Sequence, residues 1–303
     1  MHRVAVCEIA GVHFSFRPNH WLFQETPLNA DRLPTQSDII KELGVTPGFD
    51  AAAEAERRIS FLAEYLVNSG MKAYVLGVSG GVDSSTAARL AQLAVERVRK
   101  QGKDAHFYAV RLPYGEQKDE ADAQRALAFV KPDTALTINI KPATDATRQA
   151  VEQAVSFRDE AHADFVMGNV KARERMIAQY AVAGAYGALV IGTDHAAEAL
   201  MGFYTKHGDG AADITPLTGL SKRRVRAIAR HLGAEDSLVM KTPTADLESL
   251  SPQRADEDVF GMSYETLDDF LEGKAVPEDQ ATRIRQVFAN TAHKRAMPVG
   301  PTS

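Results

Sequence analysis

The chain of 303 residues contains one cysteine, which excludes several chemistries at once. Cys7 alone cannot close an internal disulfide, and no Cys-x-x-Cys metal or redox site can be built. No run of about 18 consecutive apolar residues occurs, so no membrane span is expected. Residues 1–10 offer one early arginine and a brief apolar patch broken by Glu8, too weak a pattern for a secretory leader, and a cytoplasmic location is expected. A basic excess is also lacking: 35 Lys and Arg against 40 Asp and Glu leave a net charge of −5, which argues against nucleic acid as the main partner. No internal repeat is visible. A hydrophobic content of 45% over this length allows one large α/β domain with additions, or two small ones.

What is present centres on residues 73–86. Tyr74, Val75, Leu76 and Val78 form the short apolar run of a parallel strand buried on both faces, and a glycine-rich turn follows at once. Gly80 and Gly81 lack a Cβ, so the backbone there can turn its N–H groups toward an anion, with Ser79, Ser84 and Ser85 adding hydroxyl donors. Ala87, Leu90, Ala91, Ala94 and Val98 then recur at helical spacing, which aims the positive end of a helix dipole back into the turn. The stretch from Gly77 to Ser84 holds no Gly-Lys-Ser/Thr and no Gly-x-Gly-x-x-Gly, so neither the Walker loop nor the dinucleotide fingerprint applies.

Around this turn the chain alternates. Helix is expected over 50–69 with Asp50 as N-cap, strand over 106–112, helix over 116–130, strand over 136–140 and helix over 144–156. A further helix is expected over 169–187, with Ile177, Tyr180, Ala181 and Gly184 on one face, running into a strand over 188–192. Such βαβα order predicts a doubly wound parallel sheet with helices on both faces. Residues 193–216 are dense in Gly, Asp, His and Thr; 221–231 reads as a basic helix, 243–252 as an acidic turn region, and 263–272 and 277–292 as short helices. Residues 1–35 carry no defensible periodicity and are expected to form an extension of little regular structure before a catalytic domain over 36–303.

Thr193-Asp194-His195-Ala196-Ala197-Glu198 follows a strand end directly, so its side chains should face the same crevice as the glycine turn. Glu198 is a candidate magnesium carboxylate. For His195 a capping or carbonyl-bonding role is expected over a general base, and Asp194 is a candidate N-cap. Lys171, Glu174 and Arg175 are expected on a solvated face, whereas Arg173, four residues before Ile177, should border a buried one. Phe203 and Tyr204 fit ligand stacking and core packing equally.

Ser79-Gly80-Gly81-Val82-Asp83-Ser84 resembles the pyrophosphate loop of the ATP pyrophosphatases. The resemblance implies a Rossmann-like fold that cleaves ATP between its α and β phosphates, with Asp83 helping to hold magnesium. A carboxylate among phosphates is tolerable when a cation offsets its charge. Further blocks narrow the likeness. Leu112-Pro113-Tyr114-Gly115, the run from Gly168 through Met176, Gly192 through Glu198, Gly202 through Gly210, Pro243 through Leu247, and His293-Lys294-Arg295 resemble the signature blocks of ammonia-dependent NAD synthetases, over about residues 36–298. That family implies a homodimer that adenylates the nicotinate carboxylate of deamido-NAD with MgATP, after which ammonia displaces AMP.

Carried over, the family pattern assigns ATP to Gly77, Val78, Ser79, Gly80, Gly81, Val82, Ser84, Thr193, Lys222 and Thr244, and magnesium to Asp83 and Glu198. It assigns deamido-NAD to Arg173, Lys206, Asp213, His293 and Lys294, with Asp83, Arg173, Lys206 and Asp213 nearest the chemistry. Val82 stands where many ammonia-dependent members carry Gln. The glutamine-dependent form would need an attached amidase domain, for which residues 1–35 are too short. Rival readings are a GMP or asparagine synthetase, which would lack the Lys-Ala-Arg and Tyr-Thr-Lys-His-Gly-Asp-Gly blocks, and a non-catalytic adenine-nucleotide sensor, against which Asp83 and Glu198 argue. Gly202, Gly208 and Gly210 suggest that residues 203–213 form a lid freed by backbone flexibility and ordered by ligands.

Overall fold

A computed structural model describes residues 33–115, 120–244 and 247–301. Cys7 and nearly all of the expected N-terminal extension lie outside the described residues. Its last three residues do not: Leu33 is buried, Arg285 donates to the carbonyls of Leu33 and Pro34, and the Thr35 side chain caps the first helix.

In chain order the described elements are α1 (Gln36–Glu42), α2 (Ala51–Ser69), β1 (Ala73–Gly77), α3 (Val82–Lys100), β2 (His106–Arg111), α4 (Glu120–Val130), β3 (Thr134–Thr137), α5 (Lys141–Glu152), α6 (Glu160–Tyr186), β4 (Ala188–Val190), α7 (Ala196–Met201), α8 (Lys222–His231), α9 (Asp236–Val239), α10 (Asp256–Phe260), α11 (Tyr264–Leu271), α12 (Glu278–Asn290) and α13 (Ala292–Arg295). The four strands are all parallel in the order β3-β2-β1-β4. The chain therefore winds outward from β1 through β2 to β3, then returns to add β4 on the other side of β1. That reversal opens a crevice at the carboxyl ends of β1 and β4, where open α/β sheets bind ligands.

Both faces of the sheet are buried. Tyr74 and Leu76 of β1 and Phe107 and Ala109 of β2 pack with α2, α3 and α8, while Ala73 and Val75 of β1, Val110 of β2 and Val190 of β4 pack with Val182 and Ala183 of α6. This two-residue alternation is what a doubly wound sheet requires. Leu90 of α3 is fully buried, and truncating it to Ala should cost about 2–5 kcal/mol. A second cluster joins α1, α7, α10, α11 and α12 beside the crevice.

Asp50 caps α2 as expected, its carboxylate accepting from the Ala53 N–H at 2.8 Å. Strand β3 lies earlier than expected, at 134–137, although the Ile138 and Ile140 N–H groups still donate to the Arg111 and Pro113 carbonyls, both at 2.9 Å, before α5 begins. The largest difference is α6, which begins at Glu160 with Asp159 as N-cap, nine residues before the expected start. Gly168 inside it is not a break signal. A Cβ there would stand 3.3 Å from Leu247, so glycine is favoured where α6 packs closely against that residue.

Candidate active site

The β1–α3 turn holds the geometry its residues predict. Gly80 takes φ +87°, a conformation costly for any residue with a side chain, and its Cα faces the Ala123 backbone at the start of α4 closely enough that a Cβ would sit at 3.3 Å. Ser79 and Ser84 hydroxyls are 3.1 Å apart, and Ser85 donates to the Gly81 carbonyl at 2.7 Å. Gly81 is the N-cap position of α3 and receives no side-chain cap, so the first N–H groups of a 19-residue helix face the loop. The turn is therefore a nest of donors at a helix N-terminus, suited to phosphate oxygens.

Asp83 lies in the first turn of α3 and meets three groups from other elements. Lys222, the first residue of α8 and 1% exposed, donates to Asp83 Oδ2 at 2.6 Å. His195 Nε2 stands 3.5 Å from Asp83 Oδ1 and 3.4 Å from Glu198 Oε1. Ligand atoms of Asp83, His195 and Glu198 all lie within 4.8 Å of one another. The Lys222 ammonium also sits 4.7 Å from the centre of the Tyr264 ring, whose hydroxyl donates to Asp256 at 2.8 Å.

These groups set one another's protonation. Burial pushes His195 down to about 3, only partly opposed by the Asp83 carboxylate, so its ring is neutral at ordinary pH. Burial alone would raise Asp83, but the Lys222 ammonium, joined by Arg226, holds it below its ordinary range, and it is ionised. Glu198 is raised well above the usual carboxylate range, first by burial and then by the Asp83 charge. Asp83 Oδ1 and both His195 ring nitrogens have no hydrogen-bond partner. Two carboxylates side by side, one of them with an orphaned oxygen and the other kept from ionising by burial and its neighbour's charge, fit a hard divalent ion such as magnesium. Their oxygens, rather than the His195 nitrogen, are the donors such an ion prefers.

His195 takes the capping position expected of it, as the N-cap residue of α7, so the N-cap is not Asp194; its ring faces the Asp83 and Glu198 carboxylates and not a backbone carbonyl. Lys171 also differs from its expected solvated setting: it is 5% exposed and donates to the Leu247 carbonyl at 2.7 Å and the Ser249 hydroxyl at 2.8 Å. Arg175 is half-buried and donates to the Leu112 carbonyl at 3.1 Å, while Glu174 accepts from Thr147. The expected buried border of Arg173 is reversed, because Arg173 and Ile177 are both exposed. The stripe of Ile177, Ala181 and Gly184 faces outward.

A second cluster stands beside the crevice. Arg173 donates to the Lys206 carbonyl at 3.3 Å, Lys206 donates to the His293 carbonyl at 2.5 Å, and Lys294 donates to the carbonyls of Gly202 and Tyr204 at 2.7 and 2.9 Å. The fold thus gathers Arg173, Lys206, His293 and Lys294 from three distant parts of the chain. Asp213 stands apart: its carboxylate accepts from the Val190 N–H at 2.7 Å and pins the end of β4. Thr193 lies three residues beyond the end of β4 and is half-buried, and Thr244 pairs with Ala255 in an isolated antiparallel bridge. Phe203 packs edge-on against Phe260 at 4.7 Å, which favours packing over ligand stacking for that ring. Gly208 and Gly210 keep ordinary φ and are needed for close approach, since a Cβ on Gly210 would lie 2.4 Å from the Tyr204 ring. Sequence reasoning missed Tyr264, Asp256 and Arg226. Only Arg226 left a local signal, lying one helical turn beyond Lys222.

A parallel sheet whose switch point carries a Ser-Gly-Gly-x-Asp-Ser loop beside buried carboxylates defines a Rossmann-like fold of the ATP pyrophosphatase type. The sequence profile described as NAD synthase matches residues 54–298, and the chain belongs to that family. A protein of Streptomyces coelicolor named NH3-dependent NAD+ synthetase is 61% identical over 88% of this chain and 97% of its own. The crystal structure of an NAD+ synthetase from Burkholderia pseudomallei superposes with a TM-score of 0.76 at 58% identity, covering 88% of this chain and 98% of that one. An NMN synthetase from Francisella tularensis gives a TM-score of 0.73 at 32% identity, covering 84% and 100%.

Proposed function

We propose that the protein is an ammonia-dependent NAD synthetase: it transfers AMP from ATP to the nicotinate carboxylate of deamido-NAD and replaces the AMP with ammonia. The observation that carries this reading is the juxtaposition of two clusters, a phosphate loop with the Asp83–Glu198 pair and a ring of Arg173, Lys206, His293 and Lys294 beside it. Two phosphorylated ligands bring negative charge that such cations offset. The likeness to relatives named NH3-dependent NAD+ synthetase supports the choice of ammonia.

In this reading the loop from Gly77 to Ser84 with Lys222, Thr193 and Thr244 holds ATP, and Arg173, Lys206, Asp213, His293 and Lys294 hold deamido-NAD. Asp83 and Glu198 would hold magnesium, which when bound offsets phosphate charge. The carboxylate oxygen attacks the α-phosphorus and pyrophosphate leaves into the donor nest of α3. Neutral ammonia then attacks the acyl carbon, AMP departs, and the nitrogen sheds its extra proton. Closing Lys206 over the acyl-adenylate keeps water from competing with ammonia.

Residues 36–303 form the catalytic unit, acting as a homodimer in the cytoplasm. The outward stripe of Ile177, Ala181 and Gly184 on α6 supports the dimer, because an apolar helix face of this kind gains by being covered. Among the described residues no helix is long and apolar enough to cross a membrane.

The test is direct. Purified protein with ATP, magnesium, deamido-NAD and ammonium should release AMP and pyrophosphate and form NAD in equal amounts. No AMP above a blank lacking deamido-NAD would overturn the reading. A mononucleotide substrate, lacking the AMP half of deamido-NAD, should be used far less well.

A further inference from the structure

The phosphate loop starts at Gly77, the last residue of β1, and the backbone there has an unmet demand. On the β4 side the paired residues end at Val75 with Val190, because the chain beyond Ile191 turns to bond Ile214 instead. The Gly77 N–H points to that side and finds no strand carbonyl. Gln179, in the last third of α6, supplies the acceptor: its side-chain oxygen lies 2.7 Å from the Gly77 nitrogen, and its amide N–H donates to the Arg175 carbonyl at 3.3 Å. The fit is tight, since a Cβ on Gly77 would stand 3.1 Å from the Gln179 oxygen and 3.2 Å from its Cδ.

We propose that Gln179 is a positioning residue of the ATP site, fixing the exit of β1 and hence the aim of the Ser79–Ser84 donors. It acts from the helix that also carries Arg173. Four residues before it, Arg175 fixes the exit of β2 through the Leu112 carbonyl, and one residue after it, the Tyr180 hydroxyl approaches Asp213 at 3.5 Å, the residue that pins the end of β4. One helix thus ties three strand exits to the Arg173 cluster, so that the two substrates share a frame. The inference rests on the proposed reading that ATP occupies the loop. The pairing also favours a glycine at position 77, because a Cβ there would press on the accepting amide.

The test compares Gln179→Leu, Gln179→Glu and Gly77→Ala with the wild type. Gln179→Leu removes the acceptor at equal bulk and should raise KM for ATP about 10- to 30-fold with little change in KM for deamido-NAD, the size expected for one buried backbone hydrogen bond left unmet. Titration calorimetry with a non-hydrolysable ATP analogue should show the same weakening. Gln179→Glu keeps an oxygen acceptor and should restore most of the affinity. Gly77→Ala should impair ATP binding in the wild-type background and less in a Gln179→Ala background, because the amide it collides with is gone. Equal KM values for ATP in wild type and Gln179→Leu would overturn the proposal, as would additive losses in the Gly77→Ala and Gln179→Ala pair. Should Gln179→Leu not fold, the Gln179→Glu and Gly77→Ala results decide by the same criteria. Failure of the wild type to make AMP would instead overturn the proposed reaction.

Discussion

Lys222→Met is the most informative single perturbation, because it removes the cation from a buried carboxylate. Lys222 Nζ is 2.6 Å from Asp83 Oδ2, Lys222 is 1% exposed, and the Asp83 side chain keeps 17% of its surface. Removing one member of a buried pair typically costs about 3–5 kcal/mol, since the survivor is left charged in a poor solvent. The residual exposure of Asp83 and the nearby Arg226 place the expected loss at the lower end, about 3 kcal/mol. Replacing both partners, as Asp83→Asn with Lys222→Met, should recover at least about half of that, because no uncompensated charge remains. Urea unfolding of the four proteins in a double-mutant cycle measures this, read as midpoint shifts at constant slope. A Lys222→Met loss below about 1 kcal/mol, or a double variant as unstable as the sum of the singles, would refute the buried-pair argument. Neither the double nor the single variants should adenylate deamido-NAD.

Other outcomes follow from the same geometry. Asp133 accepts from Arg99 at 2.7 Å, Gln92 at 3.1 Å and the Phe107 N–H at 3.0 Å; burial alone would raise its pKa, yet these bonds hold it below 3.8. Its contribution is therefore present above pH 3.8 and lost as pH falls through the depressed folded value, so Asp133→Asn should destabilise the protein at pH 7 by about 1–2 kcal/mol and the gap should close in strong acid, as measured by urea unfolding. Gly202 takes φ +57° and a Cβ there would lie 2.5 Å from Thr291, so Gly202→Ala should cost at least about 2 kcal/mol in denaturant melts and shift the carbonyl that Lys294 holds, weakening deamido-NAD binding. Ile177→Glu on the outward face of α6 should yield monomers in sedimentation equilibrium, and an unchanged dimer mass would place the subunit contact elsewhere.

The sequence by itself determined the alternation of elements and the phosphate loop, because both are local. The apolar runs of β1 and β2 read as strands buried on both faces, Asp50 sits before its helix as a cap, and Ser-Gly-Gly-x-Asp-Ser is a contiguous turn whose donors depend on a few residues only. The likeness of the Gly168, Gly202 and His293 blocks to the family added the Arg173, Lys206 and Lys294 assignments, again as short stretches. Tertiary structure alone decided who meets whom. Lys171 and Arg175 lie on a helix whose apolar residues fall on several sides, and the stripe of Ile177, Ala181 and Gly184 marked the outer face: Ile177 turned outward while Lys171 turned in. Glu198 lies one turn from His195 in the chain, but Asp83 reached the pair from α3 through the return of β4 beside β1. Gln179 carries no motif at all. Its role arises because β4 ends two residues short of Gly77's level, leaving a backbone N–H that only a side chain from the covering helix can reach, and such a vacancy exists in the folded sheet and nowhere in the linear chain.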